Sequence, residues 1–330
     1  MEKFRAYRIF DDGGRIAGRF VELSLDELDP GEVVIRTAYA SVNYKDALAA
    51  TGAGKIIRRF PCIGGIDCSG TVESSSDPRF KAGDRVLCTS YDLGVAHDGG
   101  YAEYVRAPAD WVVPLPSGMS LFDAMALGTA GYTAGLAVER MEQVGLKPAN
   151  GPVIVTGATG GVGSVAIDIL AGAGYHVVAL TGKEAETDYL KGLGAREVML
   201  RASLDLTKIK PLDRATWAGA VDNLGGDVLA WLAATMQVGG ALASIGLAAS
   251  HTLNTTVMPF ILRGVSLVGV DSVNTPMPLR QKVWKRLASD LKPKHLANMT
   301  ATVHLENLPA VFDRVLKAQM RGRTVVALGG

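Results

Sequence analysis

Residues 153–166 carry the strongest folding signal in the sequence. The apolar run Val153-Ile154-Val155 ends in a cluster of glycines, and the small-residue segment after it favours a helix. A strand, a glycine-rich turn and a helix in this order are typical of a unit that binds a dinucleotide pyrophosphate. The turn must be tight, its backbone must approach the phosphates, and the helix must begin with free N–H groups aimed at the anion. Ala158 stands where the usual fingerprint has its first glycine, and the residues assigned to the pyrophosphate are Thr159, Gly160, Gly161, Val162 and Gly163.

The charge balance limits the classes of partner. The chain has 330 residues, with 34 Lys and Arg against 33 Asp and Glu. Such a nearly neutral chain lacks the basic excess that nucleic acids or anionic membranes attract, so we expect neither as a partner. The three cysteines, Cys62, Cys68 and Cys88, are too few for a disulfide framework, which indicates a reducing compartment.

No segment of the sequence predicts a signal peptide or a membrane span. The residues after Met1 lead into no apolar run of the kind that a signal peptide needs. The nearly uncharged stretch from Asp227 to Arg263 is interrupted by Gly239-Gly240 and by several polar residues, and it predicts a helix, a turn and a buried strand. We therefore expect a cytoplasmic protein.

The chain changes character twice along its length. Up to about Ala124 it is rich in predicted strands, at 33–40, 70–73, 84–88 and 101–105. A small-residue helix over 121–140 leads into alternating strands and helices, with strands at 153–156, 176–180, 197–200, 219–222, 241–245 and 265–270. The tail from Pro278 holds two helical patterns and a final strand, 324–328, that we expect to rejoin the first domain. These shifts predict boundaries at 1–125, 126–264 and 265–330.

These features together resemble the medium-chain dehydrogenase/reductase superfamily. The more specific segments resemble its quinone-oxidoreductase group, in particular acrylyl-CoA reductases, and they lie at 43–48, 65–67, 128–134, 181–183, 218–222, 259–264 and 269–273. The resemblance implies an α/β fold, with a Rossmann doubly wound parallel sheet and a β-rich GroES-like catalytic domain. It also implies NADPH-dependent reduction of the C=C bond of acrylyl-CoA, a short enoyl-CoA, to propionyl-CoA.

The residues at the zinc positions of this superfamily are unsuited to a metal. Where zinc alcohol dehydrogenases have Cys, His and Cys ligands, the matching residues here are Asn43, Ile66 and Thr129. None of these is a good Zn²⁺ ligand, and the four-cysteine structural lobe of the family is absent. The expectation is a zinc-independent enzyme with no metal.

The end of the second strand of the nucleotide fold favours NADPH over NADH. A carboxylate there would repel a 2′-phosphate, but the sequence has Thr181, Gly182 and Lys183, and Arg201 follows the third strand. These four residues are assigned to the cofactor. The alternative is that Lys183 only begins a solvated helix, which the nearby Glu184 and Glu186 also fit.

Further cofactor contacts are implied by the resemblance alone. They are the superfamily threonine beside the nicotinamide, residues after the fifth and sixth strands, a hydrophobic residue near the ring, and an arginine near the C-terminus that meets the pyrophosphate. The matching residues are Thr133, Leu247, Ser272, Ile261 and Arg323. Ordinary core packing is the alternative for Leu247 and Ile261.

The proposed chemistry needs donors for a developing negative charge. Hydride addition to the β-carbon of an enoyl thioester leaves an enolate, which hydrogen bonds must stabilise in the absence of a metal. Asn43 and Tyr44 are the first candidates, because the loop that carries them faces the nicotinamide in this superfamily. Tyr44 would donate to the oxygen or deliver the α-proton, or its ring would only pack on the nicotinamide. Asp46 and Asp67 are weaker candidates, and an organising Asp67–Arg323 ion pair is favoured over direct acid–base work.

Substrate binding and assembly complete the expectations. Lys55, Arg58 and Arg59 form a basic run that would bind the phosphates of coenzyme A, or that is only a solvated face. A homodimer is expected by analogy, through the edge of the sixth strand. The alternative functions are an NADPH:quinone or enone oxidoreductase and a non-catalytic NADPH-binding protein.

Overall fold

A computed structural model describes residues 3–328. Its strands are β1 (Phe4–Asp12), β2 (Arg15–Leu23), β3 (Val33–Val42), β4 (Cys62–Ile63), β5 (Asp67–Ser75), β6 (Arg85–Thr89), β7 (Tyr104–Ala107), β8 (Val112–Pro114), β9 (Pro152–Thr156), β10 (His176–Thr181), β11 (Glu197–Leu200), β12 (Trp217–Asp222), β13 (Met236–Ser244), β14 (Ser266–Gly269), β15 (Thr300–His304) and β16 (Arg323–Ala327). Its helices are α1 (Tyr44–Thr51), α2 (Leu121–Gln143), α3 (Gly161–Gly172), α4 (Thr187–Gly192), α5 (Gly226–Thr235), α6 (Met258–Arg263), α7 (Met277–Leu287) and α8 (Leu308–Leu316).

The described chain divides into two units. Unit 1 comprises residues 3–129, 273–282 and 296–328, and unit 2 comprises 130–272 and 283–295. The C-terminal tail is thus shared, because its first and last parts belong to unit 1 and the segment between them belongs to unit 2.

Unit 2 is built on one parallel sheet with the strand order β11-β10-β9-β12-β13-β14. This order is that of a doubly wound dinucleotide-binding fold, in which the first strand of the unit lies at the centre of the sheet. The central strands are apolar and buried because helices cover both faces of such a sheet. All six strands predicted for this region are present, which confirms the predicted Rossmann sheet.

Unit 1 contains a seven-stranded sheet and a three-stranded sheet. In the larger one, β16 pairs antiparallel with β3, so the predicted return of the C-terminal strand to the first domain is confirmed. The smaller sheet pairs β2 with β1 and β1 with β4. Apolar residues of both termini share one core here, for example Ile9 and Phe312, which are almost completely buried.

One predicted strand of unit 1 is misplaced. A strand was expected over 101–105, but β7 begins only at Tyr104. The backbone of the preceding residues is used elsewhere: Tyr101 donates to Gly64 and accepts from Tyr7, and Glu103 donates to Arg5. These hydrogen bonds connect residues 101–103 to β1 and to Gly64, and the Glu103 carbonyl also accepts from the Thr37 N–H of β3. The hairpin β1–β2 and the short strand β15 were not predicted.

Helix α2 is long and apolar enough to cross a membrane, which holds for no other helix of residues 3–328. However, 78% of its most apolar window is buried inside the protein, and Gly128 interrupts it with non-helical dihedral angles. It therefore has the properties of a core helix. The stretch 227–263 forms most of α5, then β13 and α6, so the predicted helix and strand are present, whereas helix α6 was not predicted and Gly239-Gly240 lie inside β13.

Candidate active site

The glycine turn of unit 2 has the geometry that the sequence predicts. Helix α3 begins at Gly161 with Gly160 as its N-cap, directly after β9. A Cβ on Gly163 would lie 2.8 Å from the Cα of Ala158, so only glycine allows the helix to pack this closely on the turn. The left-handed residue of the turn is Gly157, with φ of +57°. The prediction omitted Gly157, although its position directly after the strand was a usable signal.

A buried aspartate that the sequence analysis missed organises the neighbouring strand end. Asp222 is completely buried, and it accepts hydrogen bonds from the Thr156 hydroxyl at 2.7 Å and from the Gly225 amide at 2.8 Å. Burial raises the pKa of Asp222. The Asn223 side chain donates to the Thr156 carbonyl at 2.7 Å and lies against Gly157. These contacts tie the end of β12 to the glycine turn.

The residues predicted to bind a 2′-phosphate lie at the carboxyl ends of two neighbouring strands. Thr181 pairs with Leu200 in the β10–β11 register, so Arg201 follows directly beside the end of β10. The Arg201 guanidinium lies within 3.9 Å of the position of a Cβ on Gly182. The Lys183 amide donates to the Thr181 hydroxyl at 3.0 Å.

A cavity of about 380 Å³ opens at this edge of unit 2. Gly182 and Arg201 both line it, together with residues that were not predicted, Ala202, Leu206, Gly225, Gly226, Asp227, Val228, Ala249 and Ser250. Gly182, Gly225 and Gly226 leave room for a flat ring, and the Arg201 guanidinium is a partner for a phosphate, while Asp227 and Ser250 add polar groups to the lining. The residues present therefore fit a phosphorylated dinucleotide.

The remaining predicted cofactor residues of unit 2 differ in exposure. Thr133 is buried on α2, and Ser272 follows β14. Leu247 and Ile261 are 67% and 71% exposed, so the alternative that they are core residues is wrong. Both side chains are available to a ligand or to another protein surface.

In unit 1, the predicted residue Asp67 is the centre of a buried hydrogen-bond cluster. Its carboxylate accepts from the Ser41 hydroxyl at 2.5 Å, from the Asn43 side-chain amide at 2.8 Å, and from both the backbone N–H and the hydroxyl of Thr129 at 2.8 and 2.5 Å. Three of these donors contact Oδ2 and the Thr129 hydroxyl contacts Oδ1, so both oxygens of the carboxylate are held by the protein. The geometry therefore indicates an organising role for Asp67 instead of proton transfer.

Arg323 belongs to the same buried cluster. Its guanidinium donates to Ser41 Oγ at 3.0 Å, to Asn43 Oδ1 at 3.2 Å, and to the carbonyls of Val42 and Ala126. Among the ion pairs of residues 3–328, none joins Arg323 directly to Asp67; Ser41 and Asn43 bridge them instead. The predicted direct ion pair is thus corrected to a bridged one, and a contact between Arg323 and the pyrophosphate stays a prediction.

Asp46 is the second buried carboxyl of this cluster. It accepts from the backbone N–H and the side-chain amide of Asn43, at 2.8 and 3.2 Å, and from the Ile66 N–H at 3.0 Å. Burial raises the pKa of Asp46 to about 7, and the negative charge of Asp67 adds to the rise. Asp46 is therefore the group of this cluster that titrates near neutral pH.

Gly128 makes room for the cluster. Its dihedral angles, φ +53° and ψ −157°, break α2 and turn both donors of Thr129 toward Asp67. A Cβ on Gly128 would lie 2.5 Å from Ser41 Oγ and 2.7 Å from both Asp67 Oδ2 and Arg323 Nη2. On the other side, the Ser90 and Thr129 hydroxyls are 3.0 Å apart, and Ser90 has a left-handed backbone with φ of +66°.

The other predicted residues of unit 1 lie nearer the surface. Tyr44 is the first residue of α1 and its side chain is 58% exposed. Arg58 forms an ion pair with Asp92, and Arg59 forms one with Asp29. Lys55 is exposed. The basic run thus consists of two arginines with carboxylate partners and one exposed lysine.

The zinc positions of unit 1 do not fit a metal ion. The amide of Asn43 and the hydroxyl of Thr129 are both engaged in hydrogen bonds to Asp67, and Ile66 offers only hydrocarbon. Within residues 3–328, no group of three or more His, Cys, Asp or Glu side chains has the arrangement of a metal site.

Family models match both parts of the chain. The alcohol dehydrogenase GroES-like domain matches residues 29–117, and the zinc-binding dehydrogenase domain matches residues 161–289. The second match concerns the nucleotide-binding part, so its name does not conflict with the poor zinc ligands of unit 1.

Curated relatives and solved structures cover nearly the whole chain. The acrylyl-CoA reductase AcuI of Ruegeria pomeroyi is 46% identical over 96% of both chains. YhfP of Bacillus subtilis, provisionally named a quinone oxidoreductase, is 47% identical over 98% of this chain and 99% of its own. Its crystal structure with NAD bound matches with a TM-score of 0.98 over 99% of this chain and 100% of that one. The crystal structure of Escherichia coli YhdH with bound NADPH matches at 44% identity and a TM-score of 0.94, over 98% and 100% of the two chains.

Proposed function

The chain belongs to the medium-chain dehydrogenase/reductase superfamily, and from this membership we propose that it reduces the C=C bond of acrylyl-CoA to propionyl-CoA with NADPH. The observation that carries the proposal is the 46% identity to an acrylyl-CoA reductase over 96% of both chains. In the balanced reaction, NADPH and one proton are consumed, and the β- and α-carbons of the substrate each gain one hydrogen.

The strand ends of unit 2 support NADPH as the cofactor. Arg201 and Gly182 line one cavity, and the residues at the end of β10, Thr181, Gly182 and Lys183, include no carboxylate that would repel a 2′-phosphate. When bound, the reduced nicotinamide supplies the hydride that adds to the β-carbon of the substrate. The bound NADPH of YhdH supports the phosphorylated form, whereas the NAD in YhfP shows that a similar fold accepts the other form.

Tyr44 is the side chain that we propose for stabilising the enolate. Its phenol is more than half exposed, whereas Asp67 is completely buried and accepts hydrogen bonds from four protein donors. A hydrogen bond to a developing oxyanion is worth about 10²–10³ in rate. We expect Tyr44→Phe to lower kcat by a factor in this range. Unchanged turnover would instead leave the ring with a packing role on the nicotinamide.

Lys55 is the residue of the basic run that we propose for the coenzyme A phosphates. Arg58 and Arg59 already have Asp92 and Asp29 as partners, so their charges are partly compensated. We expect Lys55→Glu to raise KM for acrylyl-CoA several-fold, with NADPH binding unaltered. Equal KM values for Lys55→Glu and the wild type would remove Lys55 from the substrate site.

The alternative function is quinone reduction, because YhfP is as similar to this chain as AcuI is. Both reactions use hydride transfer from the same cofactor. The deciding experiment follows NADPH oxidation with acrylyl-CoA, crotonyl-CoA and quinones under identical conditions. The highest kcat/KM with acrylyl-CoA is expected. A preference for quinones would favour the second function, and no oxidation despite NADPH binding would favour a binding protein.

We also propose a cytoplasmic homodimer. Strand β14 is an edge strand of the sheet of unit 2, and apolar side chains on it and near it are exposed, namely Val257, Ile261, Leu262 and Leu267. An exposed edge with such side chains favours pairing with a second copy.

Three buried free thiols suit the cytoplasm, which is a reducing compartment. Light scattering and cell fractionation test the two statements.

A further inference from the structure

We propose that Asn43 is a positioning residue for Tyr44, and that it does not itself donate a hydrogen bond to the substrate. The proposal rests on the proposed reduction of an enoyl thioester and changes one expectation from the sequence, in which Asn43 and Tyr44 were parallel donors. Three features of unit 1 carry it: the use of every polar atom of the Asn43 amide, the orientation of that amide, and the place of Asn43 before α1.

Every polar atom of the Asn43 side-chain amide already has a hydrogen-bond partner in the protein. It has two N–H hydrogens and one oxygen. The nitrogen lies 2.8 Å from Asp67 Oδ2 and 3.2 Å from Asp46 Oδ2, with Ser41 Oγ at 3.4 Å as a further acceptor. The oxygen accepts from Arg323 at 3.2 Å. No hydrogen is left to donate to an enolate unless one of the two carboxylates loses its partner.

The surrounding charges permit only one orientation of this amide. In the reversed orientation, the carbonyl oxygen would face the oxygens of Asp46 and Asp67, and the NH₂ group would face the Arg323 guanidinium. Both contacts would then be repulsive and buried, where an unpaired polar group costs most. An amide is the group that can donate to two carboxylates and accept from a guanidinium at once.

The same residue fixes the start of the helix that carries Tyr44. Asn43 is the N-cap of α1, with the extended dihedral angles φ −121° and ψ 161°. Its backbone N–H donates to Asp46 Oδ2 at 2.8 Å, and its carbonyl accepts from the Asp46 N–H at 3.0 Å. These bonds anchor the backbone on one side of Tyr44, the first residue of the helix. The direction in which the exposed phenol leaves the protein therefore depends on the buried cluster.

A double-mutant cycle of Asn43→Ala and Tyr44→Phe tests the proposal, with kcat at saturating acrylyl-CoA and NADPH as the readout. If Asn43 acts through the Tyr44 hydroxyl, we expect Asn43→Ala to lower kcat at least tenfold in the wild-type background and less than threefold in the Tyr44→Phe background. Equal factors in the two backgrounds would show an independent donor and overturn the proposal. An unaltered kcat of Tyr44→Phe would overturn it as well.

Asn43→Ser serves where Asn43→Ala does not fold, because serine is also a good N-cap but is too short to bridge the two carboxylates. Lys45→Ala, on the same helical turn but outside the cluster, is the matched control and should keep wild-type kcat.

A further readout needs no substrate: the changes in unfolding free energy caused by Asn43→Ser and by Asp46→Asn should not add up to the change in the double variant. Additive values would show that the amide and Asp46 do not interact, which overturns the proposal even if acrylyl-CoA proves not to be the substrate.

Discussion

At the scale of single residues, the buried cluster of unit 1 contains two carboxyls and one guanidinium. Asp67 has four donors, and Ser41 and Asn43 bridge its carboxylate to the Arg323 guanidinium. A second negative charge on Asp46 would have no such counterpart. This imbalance, together with burial, explains why the pKa of Asp46 is raised to about 7.

The raised pKa of Asp46 predicts a pH dependence of stability. The folded state binds this proton more tightly than the unfolded chain does, so the stabilisation is greatest below pH 4 and is lost as the pH rises to about 7. The shift from 3.8 to about 7 corresponds to a contribution on the order of 4 kcal/mol. The free energy of unfolding of the wild type and of Asp46→Asn is measured in urea at several pH values. The difference between the two proteins should fall by this amount as the pH rises from 4 to 7.

The exposed Asp26→Asn variant is the control for that measurement, because it removes a carboxyl without touching the cluster. If wild type and Asp46→Asn show the same change in unfolding free energy over this pH range, Asp46 does not carry the effect.

Arg201 is predicted to determine cofactor preference. Loss of a charge-assisted hydrogen bond to the 2′-phosphate costs about 1.5–3 kcal/mol. We expect Arg201→Ala to lower kcat/KM for NADPH about 10- to 100-fold and to leave that for NADH nearly unchanged. Lys208→Ala, an exposed cation later in the same segment, is the control. An equal loss of kcat/KM with NADPH and with NADH would assign Arg201 a structural role.

The same comparison of the two cofactors for Lys183→Ala tests whether Lys183 binds the 2′-phosphate or only begins a solvated segment.

At the scale of elements, the break in α2 links the helix to the candidate site. Only glycine adopts the dihedral angles of residue 128 without strain, and any Cβ there would collide with three polar atoms of the cluster. The helical pattern of 121–140 was predicted correctly, but its break was not. An isolated glycine in a helical pattern is usually tolerated, so Gly128 alone does not predict a break there.

Gly128→Ala is therefore predicted to destabilise the protein by more than 3 kcal/mol, because backbone strain and the collision add. Gly13→Ala is the matched control, since Gly13 also has a positive φ, +68°, but a Cβ there would meet nothing within 4 Å. That variant should cost about 1–2 kcal/mol. Equal midpoints of urea unfolding for the two variants would show that the collision has no cost.

At the scale of the whole molecule, all three thiols are buried from solvent. Cys62, Cys68 and Cys88 are free and completely buried. Burial raises the pKa of Cys62 and Cys88 to about 12, and it raises the pKa of Cys68 well above the usual range of a thiol. Because the thiolate is the reactive form, such cysteines are poor nucleophiles. This property suits a protein whose proposed substrate is an electrophilic enoyl thioester.

We predict that the native protein forms no adduct with N-ethylmaleimide or acrylyl-CoA at neutral pH. Intact-mass spectrometry should show unmodified chains, whereas N-ethylmaleimide should add three times after unfolding in urea. The exposed Ser76→Cys variant supplies a positive control and should gain one adduct. Stoichiometric modification of the native wild-type protein would contradict the prediction.

The sequence by itself determined the parallel sheet and its glycine turn. Apolar strands that alternate with helices, and a glycine cluster after the first of them, are local patterns whose meaning does not depend on distant residues. It also placed Thr181, Gly182 and Arg201 at neighbouring strand ends, because parallel strands bring their carboxyl ends to one edge. These features could be predicted because they follow from the order of the chain.

Only the tertiary structure decided how the polar residues of unit 1 work. Asp67, Asn43 and Arg323 are far apart in sequence, and the number of donors around each carboxyl depends on where β3, β5, α2 and β16 bring them together. The same holds for the bridge between Asp67 and Arg323, the raised pKa of Asp46 and the room that Gly128 leaves. Hydrogen-bond saturation and burial are properties of a three-dimensional neighbourhood, so no spacing along the chain could reveal them.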